Sequence, residues 1–158
     1  MPPRSPKIQL VAVGRLRPPF DAPGRLYEGR IAERVGFRAD EVAAEPLQRG
    51  ADRALRVEAE RLRGRLLPGA WRVALGPAGT APASSQRFAD WLERRLVDPR
   101  PVAFVIGGAG GLAEDLAAEA EERMSLGPLT MPHQLARVVL TEQVYRALCL
   151  LQGHPYPH

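Results

Sequence analysis

The order of apolar and polar positions divides the chain into short apolar runs and longer mixed stretches. Three runs, at residues 8–13, 71–75 and 102–106, are short, mainly apolar and followed at once by glycine, which is typical of buried strands. A weaker run at residues 40–44 indicates one further strand. The pattern therefore predicts three clear strands and one weak one.

Helical periodicity fills the intervals between these runs. Helices are predicted at residues 26–35, 51–67, 84–96, 113–124 and 133–152. Ser84 or Ser85 is the expected cap of the third helix. Many Arg and Glu side chains in the second helix recur at i, i+4 spacing, so Glu58 and its charged neighbours are expected on a mainly solvated face. Loops or irregular connections are predicted at residues 15–24, 76–84 and 126–132, where proline and glycine interrupt the pattern.

Strands and helices alternate at spacings that suit βαβ units. Such units join parallel strands through a crossover helix, so the predicted fold class is α/β, with a mostly parallel sheet flanked by helices. No linker, repeat or low-complexity tract divides residues 1–158. A single domain is therefore expected.

Composition limits the function without defining it. The 158 residues include 22 basic and 18 acidic side chains, a net charge of +4, which is compatible with a nucleic-acid partner but does not require one. The single cysteine, Cys149, supports neither a disulfide framework nor a zinc cluster and is expected to be buried. The sequence shows no long apolar segment and no secretory signal, so we expect a soluble cytoplasmic protein without a metal or a membrane-spanning segment.

The most informative stretch is FVIGGAGGLAEDL, residues 104–116, where an apolar run meets four glycines. In an open parallel sheet, ligands bind beyond the carboxyl ends of the strands, which is where this turn is predicted to lie. A phosphate-binding P-loop is excluded because no Lys-Ser or Lys-Thr pair follows the glycines. Gly108, Gly110 and Ala113 match the dinucleotide fingerprint by letter, but no acidic residue ends a further strand about twenty residues later.

The helix predicted after this turn opens with two carboxylates, Glu114 and Asp115. Carboxylates at this position satisfy the positive end of the helix and would repel a pyrophosphate. The turn therefore favours a ligand without phosphates, and such a ligand could carry a positive charge. The alternative is that the glycines only permit a tight connection between strand and helix.

Four ordered blocks of sequence resemble one family of enzymes. They are LVAVGRL at residues 10–16, FVIGGAGGL at 104–112, LTMPHQLARVVLTEQVYRA at 129–147 and HPY at 154–156. The chain resembles the SPOUT-class methyltransferases, and among them the family that methylates N3 of a pseudouridine in large-subunit ribosomal RNA. The resemblance spans most of the chain and is densest after Val102.

This resemblance implies a cofactor, a topology and a substrate. The cofactor is S-adenosyl-L-methionine, whose cationic sulfonium and lack of phosphate agree with the reading of the glycine turn. The topology is a deep trefoil knot within about residues 71–158. The substrate is 23S ribosomal RNA, in the helix 69 region of assembled ribosomes. The small net charge of the chain agrees better with recognition of a large ribosomal surface than with free RNA held in a basic groove.

Positions that match the family's cofactor loops are assigned on the same basis. Three crossing loops would hold the cofactor, with contacts at Leu75, Gly107, Leu126, Gly127, Pro128, Leu129, Thr130 and Met131. Glycines let the backbone approach a ligand closely, and backbone groups can read the edge of an adenine ring. Apart from the resemblance, residues 126–132 could be a plain connection before a helix.

Substrate-binding residues are expected in the last block and the tail. They are His133, Arg137, His154 and Tyr156. Methylation at an imide nitrogen requires loss of its proton, and Glu142 is a further candidate acceptor, but the sequence singles out none, so the catalytic residue is left unassigned. Simpler roles for these side chains are helix capping for His133, a surface salt bridge for Arg137 and a frayed end for the tail.

The last predicted helix carries apolar residues on more than one face, which indicates burial on two sides. The family is homodimeric through this region, so the resemblance implies a homodimer in which the tail of one chain completes the site of the other. The alternative is a central helix within a monomer.

The chain departs from the family pattern at three places. Gly76, Gly79 and Thr80 stand where the family often has an acidic residue and a Gly-Lys pair, and Gly127-Pro128 alters a Leu-Ser-x-x-Thr motif. In the tail, the family usually has His directly after Tyr, whereas Pro157 separates Tyr156 from His158 in this chain.

Two alternative functions remain open: a SPOUT enzyme with another RNA target and a non-catalytic ribosome-associated protein. A nucleotide-binding Rossmann protein is disfavoured.

Overall fold

A computed structural model describes residues 5–156 and contains an open five-stranded sheet in which every strand pair is parallel. The elements in chain order are β1 (Ile8–Val13), α1 (Asp21–Arg34), β2 (Phe37–Val42), a 3₁₀ turn (Leu47–Arg49), α2 (Ala51–Arg63), β3 (Trp71–Thr80), α3 (Ser85–Val97), β4 (Val102–Ile106), α4 (Glu114–Glu119), β5 (Glu122–Met124) and α5 (His133–Gln152). The strand order is β2-β1-β4-β3-β5. The predicted α/β class with a parallel sheet is confirmed.

Side chains of the two central strands alternate between the faces of the sheet, as the pleat requires. On one face, Leu10 and Phe104 belong to an apolar cluster with residues of α1, α3 and α5. On the other face, Val11 and Val105 pack with residues of α2 and α4. Both faces are therefore covered, which is why β1 and β4 read as continuous apolar runs in the sequence.

Several predicted bounds are confirmed. The strands at residues 8–13 and 102–106 and the helix at residues 133–152 have the predicted limits. Ser84 caps α3, since its side chain accepts a hydrogen bond from the backbone N–H of Arg87 at 3.1 Å. The buried environment of Cys149 is also as expected.

The first helix and the second strand begin earlier than predicted. Residues 15–24 were expected to form a loop, but α1 begins at Asp21 with Pro23 in its first turn. Proline is tolerated there because the N–H groups of the first turn have no partner within the helix. The second strand spans Phe37–Val42 instead of residues 40–44, because it pairs along its whole length with β1.

The segment after Leu75, predicted as a loop, partly belongs to β3. Leu75 and Thr80 both pair with Met124 of β5, so the intervening residues form an irregular excursion from the strand. A Cβ atom added to Gly79 would lie 2.5 Å from the Met124 carbonyl carbon. The Gly79-Thr80 pair, one of the departures from the family pattern, thus packs directly on β5, and the Thr80 carbonyl accepts the Ser125 N–H at 3.1 Å.

The predicted acidic helix at residues 113–124 is wrong in its second half. The helix α4 ends at Glu119, and β5 follows at once along the outer edge of β3. Helix propensity is a weak preference, and here it is overridden by pairing with an otherwise open strand edge. A hydrogen bond of 2.7 Å from Trp91 Nε1 to Glu122 fixes the new strand against α3.

The helix predicted at residues 51–67 is likewise shorter in the structure. It ends at Arg63, and the backbone then turns so that Leu67 N–H donates to the side chain of Gln9 at 3.0 Å. This buried glutamine of β1 therefore draws the chain away from the helix axis and towards the start of β3.

Candidate functional site

A pocket of about 730 Å³ lies at the carboxyl ends of β3 and β4. Its walls are three backbone segments: the end of the regular part of β3, the glycine turn after β4, and the connection from β5 to α5. The lining residues are Leu75, Gly76, Pro77, Ile106, Gly107, Gly108, Ala109, Gly110, Gly111, Ser125, Leu126, Gly127, Leu129, Thr130, Met131, Pro132, His133 and Ala136. This is the place where open parallel sheets bind their ligands.

The glycine turn is packed so tightly that side chains are excluded at two positions. A Cβ atom added to Gly107 would lie 2.2 Å from the carbonyl oxygen of Gly111, and one added to Gly108 would lie 2.9 Å from Val13 Cγ1. Gly111 has φ +82°, and its N–H donates to the Gly108 carbonyl at 3.0 Å. The glycines therefore serve both turn closure and close packing, and they leave bare backbone facing the pocket.

The third wall crosses the ends of the sheet. It starts at β5, the strand at one edge, and reaches His133, whose Nε2 lies 3.7 Å from a Cβ added to Gly14 at the end of β1. Ser125 Oγ accepts the N–H of Gly127 at 3.0 Å and donates to its carbonyl at 2.7 Å. Leu129 on this segment is 78% exposed, so an apolar side chain is displayed at the pocket.

The structure brings together all but one of the residues assigned to the cofactor. Leu75, Gly107, Gly127, Leu129 and Met131 line the pocket, as do Leu126 and Thr130. Pro128 is outside the lining, although both of its chain neighbours belong to it. The three loops named in the sequence analysis are thus the three walls of one pocket.

His133 lies at the first residue of α5, directly after Pro132, and its half-buried side chain lines the pocket. Burial lowers the pKa of the imidazole below its ordinary value, and the charge of Glu58 acts in the opposite direction without reversing the shift. At neutral pH the imidazole is therefore mainly neutral, and it can accept a proton or a hydrogen bond.

Arg137 does not line this pocket. Its side chain is only 5% exposed, and its guanidinium pairs with Glu28 at 2.8 Å and with Glu41 at 2.6 Å. Burial raises the pKa of the Glu28 carboxyl, although the charge and hydrogen bond of Arg137 act against that rise. The guanidinium therefore joins α1, β2 and α5 instead of facing the pocket.

The tail residues lie beside a second cavity of about 580 Å³, between the start of α3 and the end of α5. His154 lines this cavity, and its backbone N–H donates to the Cys149 carbonyl at 2.9 Å. Tyr156 also lines it, with its ring edge-on to Tyr145 at 4.9 Å between centroids. The tail is thus folded against α5 as far as Tyr156, while the Pro157-His158 departure lies outside the described residues.

Glu142 is engaged by its neighbours within the same cluster. Its Oε1 accepts from Arg146 at 2.7 Å and from the Tyr156 hydroxyl at 3.1 Å. Burial, followed by hydrogen bonding to Tyr27 and the charge of Glu142, raises the pKa of Tyr156 above its ordinary value. Of the five candidates in the last block and tail, the pocket at the glycine turn therefore receives only His133.

The two carboxylates used in the sequence argument have partners outside the pocket. Glu114 pairs with Arg123 at 2.6 Å, and Asp115 pairs with Arg63 at 3.1 Å. Those arginines lower the pKa of each carboxyl, and neither carboxylate lines the pocket. The expectation that they repel phosphate at the turn is therefore wrong, because both are exposed and already neutralised.

Sequence reasoning missed a different carboxylate beside the turn. Glu58 was expected on a solvated face, but it is 5% exposed, and its two carboxylate oxygens lie 3.3 Å from a Cβ added to Gly108. The signal was present in the spacing, since Glu58 is four residues from both Ala54 and Leu62, which form the buried stripe of α2. A charged residue on an otherwise apolar stripe of a helix indicates a buried side chain. For Glu58 this signal was stronger evidence than the i, i+4 charge pairs around it.

The pocket suits a ligand that is recognised by backbone groups and apolar contact. Apart from the half-buried imidazole of His133, its lining has no titratable side chain. No arginine or lysine is present to bind a phosphate, and among residues 5–156 no group of acidic, His and Cys side chains could hold a metal ion. The fold and the pocket define an α/β protein with a mainly apolar pocket, without a charged side chain other than the imidazole, at the carboxyl ends of its strands, where such folds hold their ligands.

Sequence comparison identifies the class within that fold. Residues 7–158 match the family described as predicted SPOUT methyltransferase. A protein of Gemmatimonas aurantiaca is 43% identical over 152 residues, covering 95% of this chain and 98% of its own, and one of Thiobacillus denitrificans is 41% identical over 153 residues, covering 95% and 97%. Both are named ribosomal RNA large subunit methyltransferase H. This chain belongs to the SPOUT methyltransferase family and is an enzyme of that class.

Solved structures share the fold at low sequence identity. A probable methyltransferase from Bordetella pertussis superposes with a TM-score of 0.56 at 15% identity, covering 90% of this chain and 95% of its own. A probable methylase family protein from Haemophilus influenzae gives a TM-score of 0.54 at 10% identity, covering 97% of this chain and 72% of its own.

In residues 5–156, no helix is both long and apolar enough to cross a membrane.

Proposed function

We propose that this enzyme transfers the methyl group of S-adenosylmethionine to N3 of a pseudouridine in 23S ribosomal RNA, in the helix 69 region of assembled ribosomes in the cytoplasm. The main structural observation in support of this proposal is the pocket at the carboxyl ends of β3 and β4, whose walls are three backbone segments. The names of relatives that are 41–43% identical over 95% of this chain support ribosomal RNA as the substrate.

The pocket residues fit the proposed cofactor. S-adenosylmethionine supplies an electrophilic methyl group on a cationic sulfur and carries no phosphate. Leu126, Leu129 and Met131 would pack on the faces of its adenine, while backbone groups of residues 126–131 would bind the ring edge. Gly107 and Leu75 would contact the remainder. The absence of basic side chains from the lining agrees with a ligand that lacks phosphates.

His133 is the side chain best placed to handle the proton of the substrate. A pseudouridine imide must lose its N3 proton for the nitrogen to accept a methyl group. The imidazole of His133 lines the pocket, and burial lowers its pKa, so the neutral form prevails and can accept that proton. We therefore assign proton acceptance to His133, while positioning of the two substrates supplies much of the rate.

The knot is proposed over about residues 71–158. In support, the segment after β5 leaves one edge of the sheet and reaches the end of β1 across the ends of β3 and β4. The excursion between Leu75 and Thr80 departs from β3 beside the same pocket, since Gly76 and Pro77 also line it. Such crossings are rare in proteins and would hold the three pocket walls together.

We further propose that the enzyme is a homodimer through α5. Leu135, Val138 and Val139 are apolar, only partly buried and close together on this helix. They do not belong to the residues packed against either core cluster. A second copy would cover them and bring its tail, with His154 and Tyr156, to the substrate side of the pocket.

The test is a methyl-transfer assay with isotopically labelled S-adenosylmethionine on ribosomes that lack the modification. We expect label in one nucleotide of 23S RNA, identified as N3-methylpseudouridine by mass spectrometry, with less transfer to free RNA. The Gly107→Val variant, which cannot keep the turn closed, should transfer none. Label in transfer RNA would indicate another target, and cofactor binding without transfer to any RNA would indicate a non-catalytic ribosome-associated protein.

A further inference from the structure

Glu58 is a buried carboxylate directly behind the glycine turn. It lies on α2 and is 5% exposed. Both of its carboxylate oxygens lie 3.3 Å from a Cβ added to Gly108, whose backbone lines the pocket. Only the thickness of that backbone therefore separates the carboxylate from the ligand space.

Within residues 5–156, Glu58 has no ion-pair partner. Its Oε2 accepts the backbone N–H of Glu45 at 3.0 Å. Glu45 offers the contrast, since Arg49, Arg53 and Arg61 lie within 3.0–3.8 Å of its carboxylate. A buried charge without a counterion acts strongly on its surroundings because little water screens it.

The influence of this charge extends to the opposite wall of the pocket. His133 lies on α5, and the charge of Glu58 raises the pKa of its imidazole against the larger effect of burial. The pocket lining itself contains no carboxylate. Glu58 thus places a buried carboxylate in direct contact with the glycine turn.

We propose that Glu58 is a specificity-determining residue that makes the pocket prefer a cationic sulfonium cofactor over its neutral thioether product. The inference rests on the proposed function, because it takes S-adenosylmethionine as the occupant. Loss of the methyl group converts the sulfonium, with one positive charge, into the uncharged sulfur of S-adenosylhomocysteine. A fixed negative charge stabilises the first and is indifferent to the second, so product would be exchanged readily for fresh cofactor.

The test compares dissociation constants for the two ligands in wild type and Glu58→Gln. Glutamine keeps the size of the side chain and an oxygen that can accept the Glu45 N–H, so the substitution removes mainly charge. We expect the dissociation constant for S-adenosylmethionine to rise about tenfold, which is the effect of a unit charge about 12 Å away at an effective dielectric constant of about 20. The constant for S-adenosylhomocysteine should change less than about twofold on the same grounds.

The matched control is Glu60→Gln, which makes the same change in net charge on the same helix at an exposed position. It should leave both constants at their wild-type values. Glu58→Met is a second neutral variant of similar length, to be used if the glutamine variant does not fold, and Glu58→Asp should retain the preference because it retains the charge. Thermal unfolding without ligand establishes which variants are folded.

Two results would overturn the proposed role of Glu58, and only the second would also contradict the proposed function. If folded Glu58→Gln or Glu58→Met weakens both ligands equally or neither of them, the carboxylate is only structural, while the proposed function survives. If the wild type binds neither S-adenosylmethionine nor S-adenosylhomocysteine, the proposed cofactor is wrong, and the role of Glu58 is lost with it.

Discussion

Gly107 shows most directly how single residues shape the pocket. An added Cβ would meet the backbone of Gly111 at 2.2 Å, and backbone cannot be displaced as cheaply as the end of a side chain. We predict that Gly107→Ala lowers the free energy of unfolding by about 1–3 kcal/mol, the usual cost of overpacking. Denaturant unfolding measures this change.

Gly76 provides the control for that substitution. It lines the same pocket, but an added Cβ would meet nothing within 4 Å. Gly76→Ala should therefore leave stability within about 0.5 kcal/mol of the wild type, as for ordinary surface changes. Equal effects at the two positions would show that the turn is looser than its packing indicates.

The pH dependence of stability follows from His133. Its pKa in the folded protein is lowered by burial, so below about pH 6.5, the ordinary value, the unfolded chain takes up a proton more readily than the folded one. The contribution of His133 to stability is therefore complete above that pH and falls as the pH decreases towards its folded pKa. We predict that wild type loses more stability between pH 7.5 and pH 5 than His133→Gln does.

The measurement is denaturant unfolding of wild type and of His133→Gln at pH 7.5 and at pH 5. For each protein, the change in the free energy of unfolding between the two pH values is calculated, and the two changes are compared. Other titrating groups are common to the two proteins and cancel. If His133→Gln loses as much stability on acidification as the wild type, the imidazole is not desolvated as the structure indicates.

At the scale of elements, a buried ion network joins α1, β2 and α5. Arg137→Leu would leave Glu28, whose side chain is 14% exposed, without its main cation. Removing one partner of a buried pair typically costs about 3–5 kcal/mol, and we predict a loss of this size in the free energy of unfolding. Denaturant titration is again the measurement.

Two further variants separate this network from ordinary surface pairing. Glu28→Gln added to Arg137→Leu should recover part of the loss, because it removes the unpaired charge. Arg38→Leu breaks the pair with Asp40, where the arginine side chain is 43% exposed, and should cost at most about 1 kcal/mol. An Arg137→Leu effect as small as that of Arg38→Leu would contradict the burial of the network.

Local pattern predicted some elements correctly and failed at others for an identifiable reason. The strands β1 and β4 and the helix α5 had clear periodicity and clear ends, and their predicted limits match the structure. The segment 113–124 has helical composition throughout, yet its last part forms β5 because the edge of β3 is available for pairing. Such pairing between segments about fifty residues apart leaves no mark in a local pattern.

The residues of the pocket were also only partly predictable from the sequence. The glycine turn and residues 126–131 could be predicted, because both carry motifs with a family resemblance. Glu58 could not be chosen with the same ease, since its neighbours on α2 form a charged surface and its contact with Gly108 joins two distant parts of the chain. The inward orientation of Arg137 also depends on carboxylates of α1 and β2.

At the scale of the whole molecule, the proposed dimer depends on α5. A charge placed in its partly buried apolar group should be tolerated by a monomer but excluded from an interface between copies. We predict that Val139→Glu converts a dimer into a monomer, as measured by analytical ultracentrifugation, and reduces methyl transfer to ribosomes. Gln152→Glu, at the exposed end of the same helix, should change neither property.

A wild type that sediments as a monomer would contradict the proposed dimer. A Val139→Glu protein that remains dimeric would place the interface elsewhere. Neither result would contradict cofactor binding, since all three walls of the pocket come from one chain.

Isothermal titration calorimetry measures whether the pocket beside the glycine turn binds S-adenosylmethionine. We predict saturable binding of S-adenosylmethionine to the wild type, loss of binding in Gly107→Val, and no binding of NADH. Binding of NADH, or failure of S-adenosylmethionine to bind the folded wild type, would contradict the proposed cofactor.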